Sequence, residues 1–585
     1  MYNRRRMRIQ IAMRTPLLVV VLCSCATGPQ TIVPVMPDVP SSLKVASESI
    51  TAGELLAHIE VLASDEYEGR APGTRGEELT IEYVAEQFRS ARLKPGNPDG
   101  TFLQKVPVVG YTATPVFSIA GRGDTRTLRQ PEDYVARSRW LVPLVDVESS
   151  GVVFVGYGIE APGFGWDDYK NVDLRGKTLL MLEGEPRKAS SGVQSGPPEP
   201  LFRETATYYG TRDHKYDVAA AKGAAAVLFV HDPQTSTVPF AVIQSRFARE
   251  SFDLMPERQS ERTAVDGWIT GATFEQISAD AGMDASELRE GATRRDFMPV
   301  PLNATASIRV TTALRKFESH NVVALLEGSD ERLKAEHVIY SAHWDHLGRD
   351  ESLSGDQIHN GAIDNAAGVA QLLEIAEAFA ALETAPRRSV LFIATTGEEF
   401  GFFGATHYIT QPLHPLSEAV ANINLDAGNV WGRTTDVNNM GFGLTTLDAV
   451  LAAAAERQKR TFLAEPFAGG RYFYLSDQFM FAKSGIPSVF PGPGDIYVDK
   501  PEGFGAQKWN DYGMNRYHAV SDEVEMDWDL SGAAEDARWL LDVGYVISQD
   551  DTAPSWNPNL EFRRPAGPSV SQESESPLPH RDAGP

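Results

Sequence analysis

Between residues 321 and 549, apolar runs of strand length alternate with stretches whose apolar residues recur at the spacing of one helix face. The predicted strands are 322–326, 338–342, 389–395, 421–425 and 485–490, and the predicted helices are 366–381, 448–457 and 530–547. Such alternation of strands and helices predicts an α/β fold in which helices flank a central sheet.

Two regions before residue 321 depart from this pattern. Thr51 and Thr74 each stand three residues before a Glu, which is the spacing of a helix-capping box, and the second predicts a helix to about residue 91. The predicted strands 152–157, 178–182 and 225–230 and the predicted helix 215–222 lie among loops rich in Gly and Pro. This change predicts an inserted domain at 141–301, between segments 45–140 and 302–550 of the main domain.

The first 25 residues indicate a leader that is not part of the fold. A cluster of arginines precedes an apolar run at 17–22, which is too short to cross a membrane as a mature helix. Residues 22–25 (Leu-Cys-Ser-Cys) resemble a bacterial lipobox with Cys25 as the modified residue; signal cleavage without a lipid is the alternative. The leader predicts an exported protein, periplasmic or anchored to a bacterial outer membrane, with residues 26–44 as a tether.

The composition limits the possible partners. The 585-residue chain carries a formal net charge of −25, and nucleic-acid binding requires basic surfaces, so nucleic acid is excluded as the main partner. Both cysteines lie in the leader, so a metal site must use His, Asp and Glu. Membrane contact is predicted only through Cys25, and nothing in the sequence selects an oligomeric state. Residues 551–585, rich in Pro and Ser, predict a disordered tail.

Five acidic or histidine motifs follow predicted strands or stand in loops of the α/β region, where open α/β sheets form their sites. The motifs are His343-Trp344-Asp345, Asp364-Asn365, Glu398-Glu399, Asp426 and Tyr517-His518. Taken singly, each has an ordinary alternative as a helix cap, a surface histidine or a solvated pair of glutamates at a helix start.

Two of these motifs have a specific chemical logic. A zinc-bound imidazole usually donates its second N–H to a carboxylate, and Asp345 is suitably spaced to accept it from His343. Adjacent glutamates are costly to bury without a cation. One member of the pair Glu398-Glu399 can therefore be a metal ligand while the other stays free as a general base.

In their joint order the motifs resemble the co-catalytic zinc aminopeptidase family, which includes plasma glutamate carboxypeptidase, glutaminyl cyclases and transferrin-receptor-like proteins. Residues 62–74 are similar to the opening element of that family, and the insert at 141–301 is similar to a protease-associated domain. The resemblance implies the zinc exopeptidase fold, with a mixed central sheet flanked by helices and a smaller β-rich protease-associated domain inserted. It also implies peptide substrates and two Zn²⁺ ions as cofactors.

The resemblance assigns a role to each motif residue. The implied metal ligands are His343, Asp364, Glu399, Asp426 and His518. His343 and Glu399 belong to different zinc ions, as do Asp426 and His518, and Asp364 bridges the two. The implied catalytic residues are Glu398 as general base, Asp345 as the group that orients His343, and Tyr517 as a stabiliser of the oxyanion. The peptide bond after Asp364 is expected to be cis.

The expected activity is that of an aminopeptidase, which removes N-terminal residues. Leu475 stands where some family members carry an Arg near the substrate amine, so a carboxypeptidase or dipeptidase on the same scaffold is the alternative. That alternative needs a cationic pocket, for which Arg471 and Lys483 are candidates. A non-catalytic peptide-binding protein would lack ligands, and none of the five is missing. His346 and His359 are interpreted as loop histidines that could line the site.

Overall fold

The computed structural model describes residues 39–121, 125–187, 202, 207–233, 236, 238–255, 261–464, 472–558, 560 and 562. The predicted leader with Cys25, most of the tether, Arg471 and most of the predicted tail lie outside the described residues. In the described part of the chain, none of the helices combines the length and the apolar character that a membrane crossing requires.

The described residues contain thirteen α-helices, and the three predicted at 366–381, 448–457 and 530–547 are each present with ends shifted by no more than two residues. They are α1 (Ser41–Ser49), α2 (Ala52–Leu62), α3 (Arg75–Ser90), α4 (Arg212–Ala221), α5 (Phe240–Ala248), α6 (Gly271–Asp280), α7 (Ala285–Gly291), α8 (Ala367–Ala380), α9 (Phe403–Thr410), α10 (Leu447–Arg457), α11 (Gln478–Lys483), α12 (Phe504–Asn515) and α13 (Ser531–Gln549).

Twenty strands occur in the same residues, and sixteen of them form one continuous sheet. They are β1 (Lys94–Pro95), β2 (Leu103–Ala120), β3 (Thr125–Thr127), β4 (Tyr134–Arg137), β5 (Leu144–Phe154), β6 (Glu160–Ala161), β7 (Trp166–Asp167), β8 (Thr178–Leu182), β9 (Ala226–His231), β10 (Ser251–Leu254), β11 (Val265–Thr270), β12 (Val300–Leu326), β13 (His337–His343), β14 (Gly348–Arg349), β15 (Ile358–His359), β16 (Ser389–Thr395), β17 (Ala419–Asn424), β18 (Asp436–Met440), β19 (Thr461–Ala464) and β20 (Ser488–Pro493).

One half of the sheet, the main half, has the strand order β19-β18-β20-β17-β13-β16-β12. Strand β13 runs parallel to both β16 and β17, whereas β12 runs antiparallel to β16, so the predicted mixed sheet is confirmed. Every residue of β13, β16 and β17 is buried, which explains why these strands appear in the sequence as continuous apolar runs. Helices α2, α8 and α13 share the larger hydrophobic core with these strands.

The other half, the insert half, has the strand order β5-β8-β9-β11-β4. The first four of these strands are mutually parallel, and β4 is antiparallel to β11. Helices α4 to α7 lie in the same stretch of chain, so this half is an α/β unit rather than only β-rich. A long antiparallel ribbon of β2 and β12 joins the two halves, with residues 103–120 of β2 paired along β12.

The structure shifts several of the predicted boundaries. Strand β4 pairs within the insert half, so the predicted start of the insert at residue 141 is too late. Helix α1 begins at Ser41, inside the segment predicted to be a tether. Trp556 donates its indole N–H to the carbonyl of Gly485, and Phe562 is buried, so the predicted tail includes packed residues. The cap predicted at Thr51 is present, whereas Thr74 makes no side-chain cap.

Candidate metal centre

Three parallel strands bring three of the predicted ligands to one edge of the sheet. His343 is the last residue of β13, while Glu399 and Asp426 follow the ends of β16 and β17. Because β13 lies between β16 and β17 and is parallel to both, the carboxyl ends of the three strands are neighbours.

The two remaining predicted ligands come from connecting segments. Asp364 lies in the turn before α8, and the backbone N–H groups of Ile363 and Asp364 donate to the carboxylate of Asp522 at 3.0 and 3.1 Å. The peptide bond between Asp364 and Asn365 is cis, as expected. His518 follows α12 and lies close enough to contact Asp364.

The side chains of the five residues converge into two groups that share Asp364. Nε2 of His343 lies 3.3 Å from Oδ1 of Asp364 and 3.3 Å from Oδ1 of Asp426. Nε2 of His518 lies 3.3 Å from Oδ2 of Asp364 and 2.9 Å from Oε2 of Glu399. Each carboxylate oxygen of Asp364 therefore faces a different imidazole.

The donor set fits a divalent cation of the zinc type. Nε2 of His518 is buried and makes no hydrogen bond of good geometry. Two carboxylate oxygens nevertheless lie close to it. This arrangement is expected where the three atoms converge on an ion instead of bonding to one another. Three carboxylates with two imidazoles are also typical zinc ligands. Two overlapping groups of this cluster place their donor atoms within 4.8 Å of one another: His343 with Asp364 and Glu399, and His343 with Glu398 and Asp426.

The electrostatics of Glu398 point to the same need for positive charge. Burial raises the pKa of Glu398 well above its ordinary value; His343 opposes this rise, and Asp426 and Glu399 add to it. A cation among these carboxylates would offset the repulsion that disfavours the ionised form. The residues of the site thus fit a metal by charge as well as by geometry.

Asp345 is placed differently from the expectation that its carboxylate orients His343. Nδ1 of His343 lies 3.1 Å from the backbone carbonyl of Asp345 and 3.9 Å from its carboxylate. The carboxylate of Asp345 instead accepts the backbone N–H groups of Glu398 and Glu399 at 3.1 and 3.4 Å. The backbone of Asp345 therefore fixes the imidazole, and its side chain fixes the loop that carries both glutamates.

Tyr517 lies at the exposed rim of the centre, whereas Lys483 is engaged elsewhere. The Tyr517 ring stacks on the ring of His518 with a centroid distance of 3.8 Å, and 52% of the residue is exposed. Leu475 is equally exposed at 52%. The ammonium of Lys483 forms an ion pair with Asp217 at 2.6 Å, so it is not a free member of a cationic pocket.

His346, interpreted from the sequence as a loop histidine that could line the site, contacts a predicted metal ligand directly. It is fully buried, not a surface histidine, and its Nδ1 lies 2.6 Å from Oε1 of Glu399. This contact leaves Oε2 of Glu399 facing His518. Its position three residues after His343 was the signal in the sequence, whereas the contact with Glu399 became visible only in the structure.

His346→Phe is expected to lower zinc affinity about 10–100-fold, because loss of a hydrogen-bond partner behind a metal ligand has that typical effect. Titration of the metal-free protein with zinc against a competing chelator measures the change. His346→Gln, which keeps a donor for Glu399, should recover part of the affinity. His359→Phe is the matched control, since that ring lies 6.5 Å from His346. Equal affinities for His346→Phe and this control would contradict the role given to His346.

Arg70 is a second structural element of the site that the sequence left unassigned. Its guanidinium is buried and donates to four carbonyl oxygens, those of Leu62, Trp344, Asn360 and Gly361, at 2.6 to 2.9 Å. Trp344 follows His343, and Gly361 precedes Asp364 by three residues. One side chain from the N-terminal segment therefore holds together two loops that carry predicted ligands.

Comparison with known proteins gives a match to the region that carries the site. Residues 321–541, which contain all five predicted ligands, match Peptidase family M28. Aminopeptidase NAALADL1 of Mus musculus is 33% identical over 131 residues, which cover 22% of this chain and 16% of that protein. The vacuolar membrane protease of Lachancea thermotolerans is 32% identical over 187 residues, covering 31% and 18%. The chain thus matches less than a fifth of the length of these relatives.

Solved structures provide a second comparison. An aminopeptidase from Aneurinibacillus sp. strain AM-1 aligns with a TM-score of 0.45 and 18% identity, covering 89% of this chain and all of that one. A zinc aminopeptidase from Bacillus subtilis aligns with a TM-score of 0.39 and 17% identity, covering 90% of this chain and all of that one.

Proposed function

Residues 321–541 form a domain of peptidase family M28, and on this premise we propose that the chain is a metallo-exopeptidase that removes N-terminal residues from peptides. The observation that carries the proposal is the placement of Asp364, whose two carboxylate oxygens each lie 3.3 Å from Nε2 of a different histidine. A carboxylate in that position is suited to bridge two cations. The proposed ligands of two zinc ions are His343, Asp364, Glu399, Asp426 and His518.

The residues around the cluster have separate roles in peptide hydrolysis. Two zinc ions, when bound, supply Lewis acidity toward the scissile carbonyl and the attacking water. Glu398 accepts the proton of that water and passes it to the leaving amine. Asp345 holds the backbone of Glu398 and so keeps its carboxylate at the centre. We propose that Tyr517, which stacks on His518 at the rim, donates a hydrogen bond from its hydroxyl to the developing oxyanion.

The end of the peptide that the enzyme shortens is proposed to be the N-terminus. Aminopeptidase action is supported by the resemblance of the motifs and by the activity named for the matching mouse protein. A dipeptidase on the same scaffold is the second candidate. It is favoured by Leu475, which is exposed and stands where some family members carry an Arg near the substrate amine.

A panel of peptides, each with a free and an N-acetylated N-terminus, tests the proposed function when it is assayed with and without a zinc chelator. We expect cleavage of the free peptides from the N-terminal end, loss of nearly all activity with the chelator, and recovery when zinc is returned. Mass spectrometry of the products identifies which end is shortened.

Other results of the panel would change the proposal. Cleavage of the acetylated peptides from the C-terminal end would select a carboxypeptidase, and cleavage of dipeptides alone would select a dipeptidase. Activity that survives complete removal of zinc would contradict the metallopeptidase mechanism. The absence of cleavage with a fully zinc-loaded protein would favour a peptide-binding protein without catalysis.

Location and the identity of the insert are further parts of the proposal. The arginine-rich leader and the lipobox ending at Cys25 support export and lipid attachment of the peptidase in a bacterium. The insert half, with its own hydrophobic cores, is proposed to be a protease-associated domain on the strength of the sequence resemblance.

A further inference from the structure

Residues 396–402, the glutamate loop, connect β16 to α9 and carry Glu398 and Glu399. The carbonyl oxygen of Glu398 accepts the backbone N–H groups of Gly401 and Phe402 at 2.9 and 3.1 Å. Phe402 has a φ of 59°, in the left-handed region that a bulky residue rarely adopts. Such a conformation persists only where the surrounding structure enforces it. The position of the two glutamates therefore depends on contacts outside the loop.

One such contact is made by Phe403, the first residue of α9, directly after the glutamate loop. Its ring is buried in a small hydrophobic cluster with Val106 and Val108 of β2. A Cβ atom on Gly397 would lie 2.6 Å from this ring, so the glycine lets the start of the loop pass directly over it. Through Phe403, the loop is held on the ribbon of β2 and β12.

A second contact is made by Phe400, which follows Glu399 in the glutamate loop. Its ring meets the ring of Phe252 edge-on, with centroids 5.0 Å apart and an interplanar angle of 80°. Phe252 also packs edge-on against Phe317 of β12, with centroids 5.7 Å apart. Edge-to-face packing is a favourable geometry for aromatic rings and adds to the stabilisation that comes from burial. Phe252 thus holds the loop at the residue next to a proposed zinc ligand.

Phe252 belongs to β10, a strand that is itself firmly attached. Strand β10 pairs antiparallel with β2, with Phe252 opposite Gly110. Asp253 is buried and forms ion pairs with Arg139 at 2.6 Å and with Arg262 at 3.0 Å. Arg139 follows β4 and Arg262 precedes β11, two strands of the insert half. Because successive side chains of a strand point to opposite faces, β10 contacts the insert half through Asp253 and the glutamate loop through Phe252.

We infer that Phe252 is a positioning residue for catalysis, which acts through Phe400 on the glutamate loop. The inference rests on the proposed function and deepens it, because Glu398 and Glu399 are the proposed general base and a proposed zinc ligand. Strand β10, which is tied to the insert half, thereby contributes to hydrolysis through the loop. Without this contact the loop would no longer hold the Glu398 carboxylate in place, and displacement of a catalytic group by about 1 Å can cost roughly 10²-fold in rate.

Phe252→Ala is compared with the wild type by hydrogen exchange and by steady-state kinetics at saturating zinc. The backbone amides of Gly401 and Phe402 should exchange about tenfold faster or more, because loss of the aromatic contact makes local opening of the loop easier. Mass spectrometry of a peptide that covers the glutamate loop measures this exchange. The value of kcat should fall about tenfold or more while KM stays within about twofold, since Phe252 acts on the position of Glu398.

Three further variants separate positioning from a general loss of packing. Phe252→Tyr keeps the ring and should keep both exchange and kcat within about twofold of the wild type. Phe252→Leu keeps an apolar side chain, so it should show the same changes at smaller size, and it serves if Phe252→Ala does not fold. In the double variant Phe252→Ala/Phe400→Ala, kcat should fall no further than in Phe400→Ala alone, because the two residues act through one contact.

Phe164→Ala is the matched control, since Phe164 is a half-buried residue between β6 and β7 whose ring also lies 5.0 Å from an aromatic partner, Phe202. It should change neither kcat nor exchange of the glutamate loop. Equal losses of kcat in Phe252→Ala and Phe164→Ala would overturn the inference, as would losses that multiply in the double variant.

The hydrogen exchange measurement does not depend on the proposed function. Unchanged exchange of the glutamate loop in Phe252→Ala would overturn the inference even if the wild type cleaves peptides. Failure of the zinc-loaded wild type to cleave any peptide would contradict the proposed function and with it the catalytic part of the inference. Faster exchange in Phe252→Ala would in that case still support the hold of Phe252 on the loop.

Discussion

Glu398→Gln is expected to lower kcat by about 10²–10⁴-fold, the typical contribution of a positioned general base, while the zinc content stays at the wild-type level. The substitution keeps the shape of the side chain and the backbone N–H that donates to Asp345 at 3.1 Å. It removes only the ability to accept a proton. Steady-state kinetics on a peptide substrate together with zinc analysis of the purified protein measure both quantities.

The zinc content of Glu398→Gln distinguishes a general base from a metal ligand at this position. Glu398 also lies in one of the two groups of possible metal donors, with His343 and Asp426. If Glu398 were a ligand, Glu398→Gln would lose zinc as well as activity, and the assignment of general base would be wrong. Glu383→Gln is the matched control, because it removes the same charge from an exposed loop residue and should change neither quantity.

Asp364→Asn is expected to reduce zinc well below two ions per chain. The variant replaces one of two oxygens that each face an imidazole at 3.3 Å with an amide nitrogen that cannot bind a cation. The loss of activity should exceed the roughly 10–100-fold loss that is typical when a residue hydrogen-bonded to a metal ligand is removed. Because a ligand that binds only the folded state stabilises it, added zinc should also raise Tm less than in the wild type.

Asp527→Asn, at an exposed position outside the cluster, should keep full zinc content and a wild-type response of Tm to zinc. Zinc analysis after dialysis and thermal unfolding with and without zinc distinguish the two variants. Retention of two tightly bound zinc ions by Asp364→Asn would show that Asp364 does not bridge them. Comparison of the two variants therefore distinguishes loss of the proposed bridging carboxylate from the general effect of removing a negative charge.

Central strands of both halves could be predicted because they are buried along their whole length. Strands β8 and β16 have the predicted bounds, 178–182 and 389–395, since a parallel strand between helices appears as an unbroken apolar run. The ribbon of β2 and β12 could not be predicted in the same way. Its residues alternate between buried and exposed positions over long stretches, and its pairing joins residues about 200 positions apart.

The roles of residues that act through others were also hidden in the sequence. Arg70 acts through hydrogen bonds to backbone carbonyls of loops far along the chain, a function that no spacing encodes. The carboxylate of Asp345 holds the loop of Glu398 instead of the His343 ring, because the backbone carbonyl of Asp345 already occupies Nδ1 of that ring. Such choices depend on distances that arise only after the sheet has formed.

The sequence by itself determined the α/β alternation, the position of each predicted ligand at a strand end or loop, and the restriction of metal donors to His, Asp and Glu. It could do so because apolar periodicity and residue type are local properties of the chain. The tertiary structure decided which oxygens and nitrogens meet, with Asp364 between His343 and His518, and it packed Phe252 against Phe400, the residue after Glu399. These arrangements follow from the packing of segments that are distant in sequence, because only that packing sets the distances between their side chains and charges.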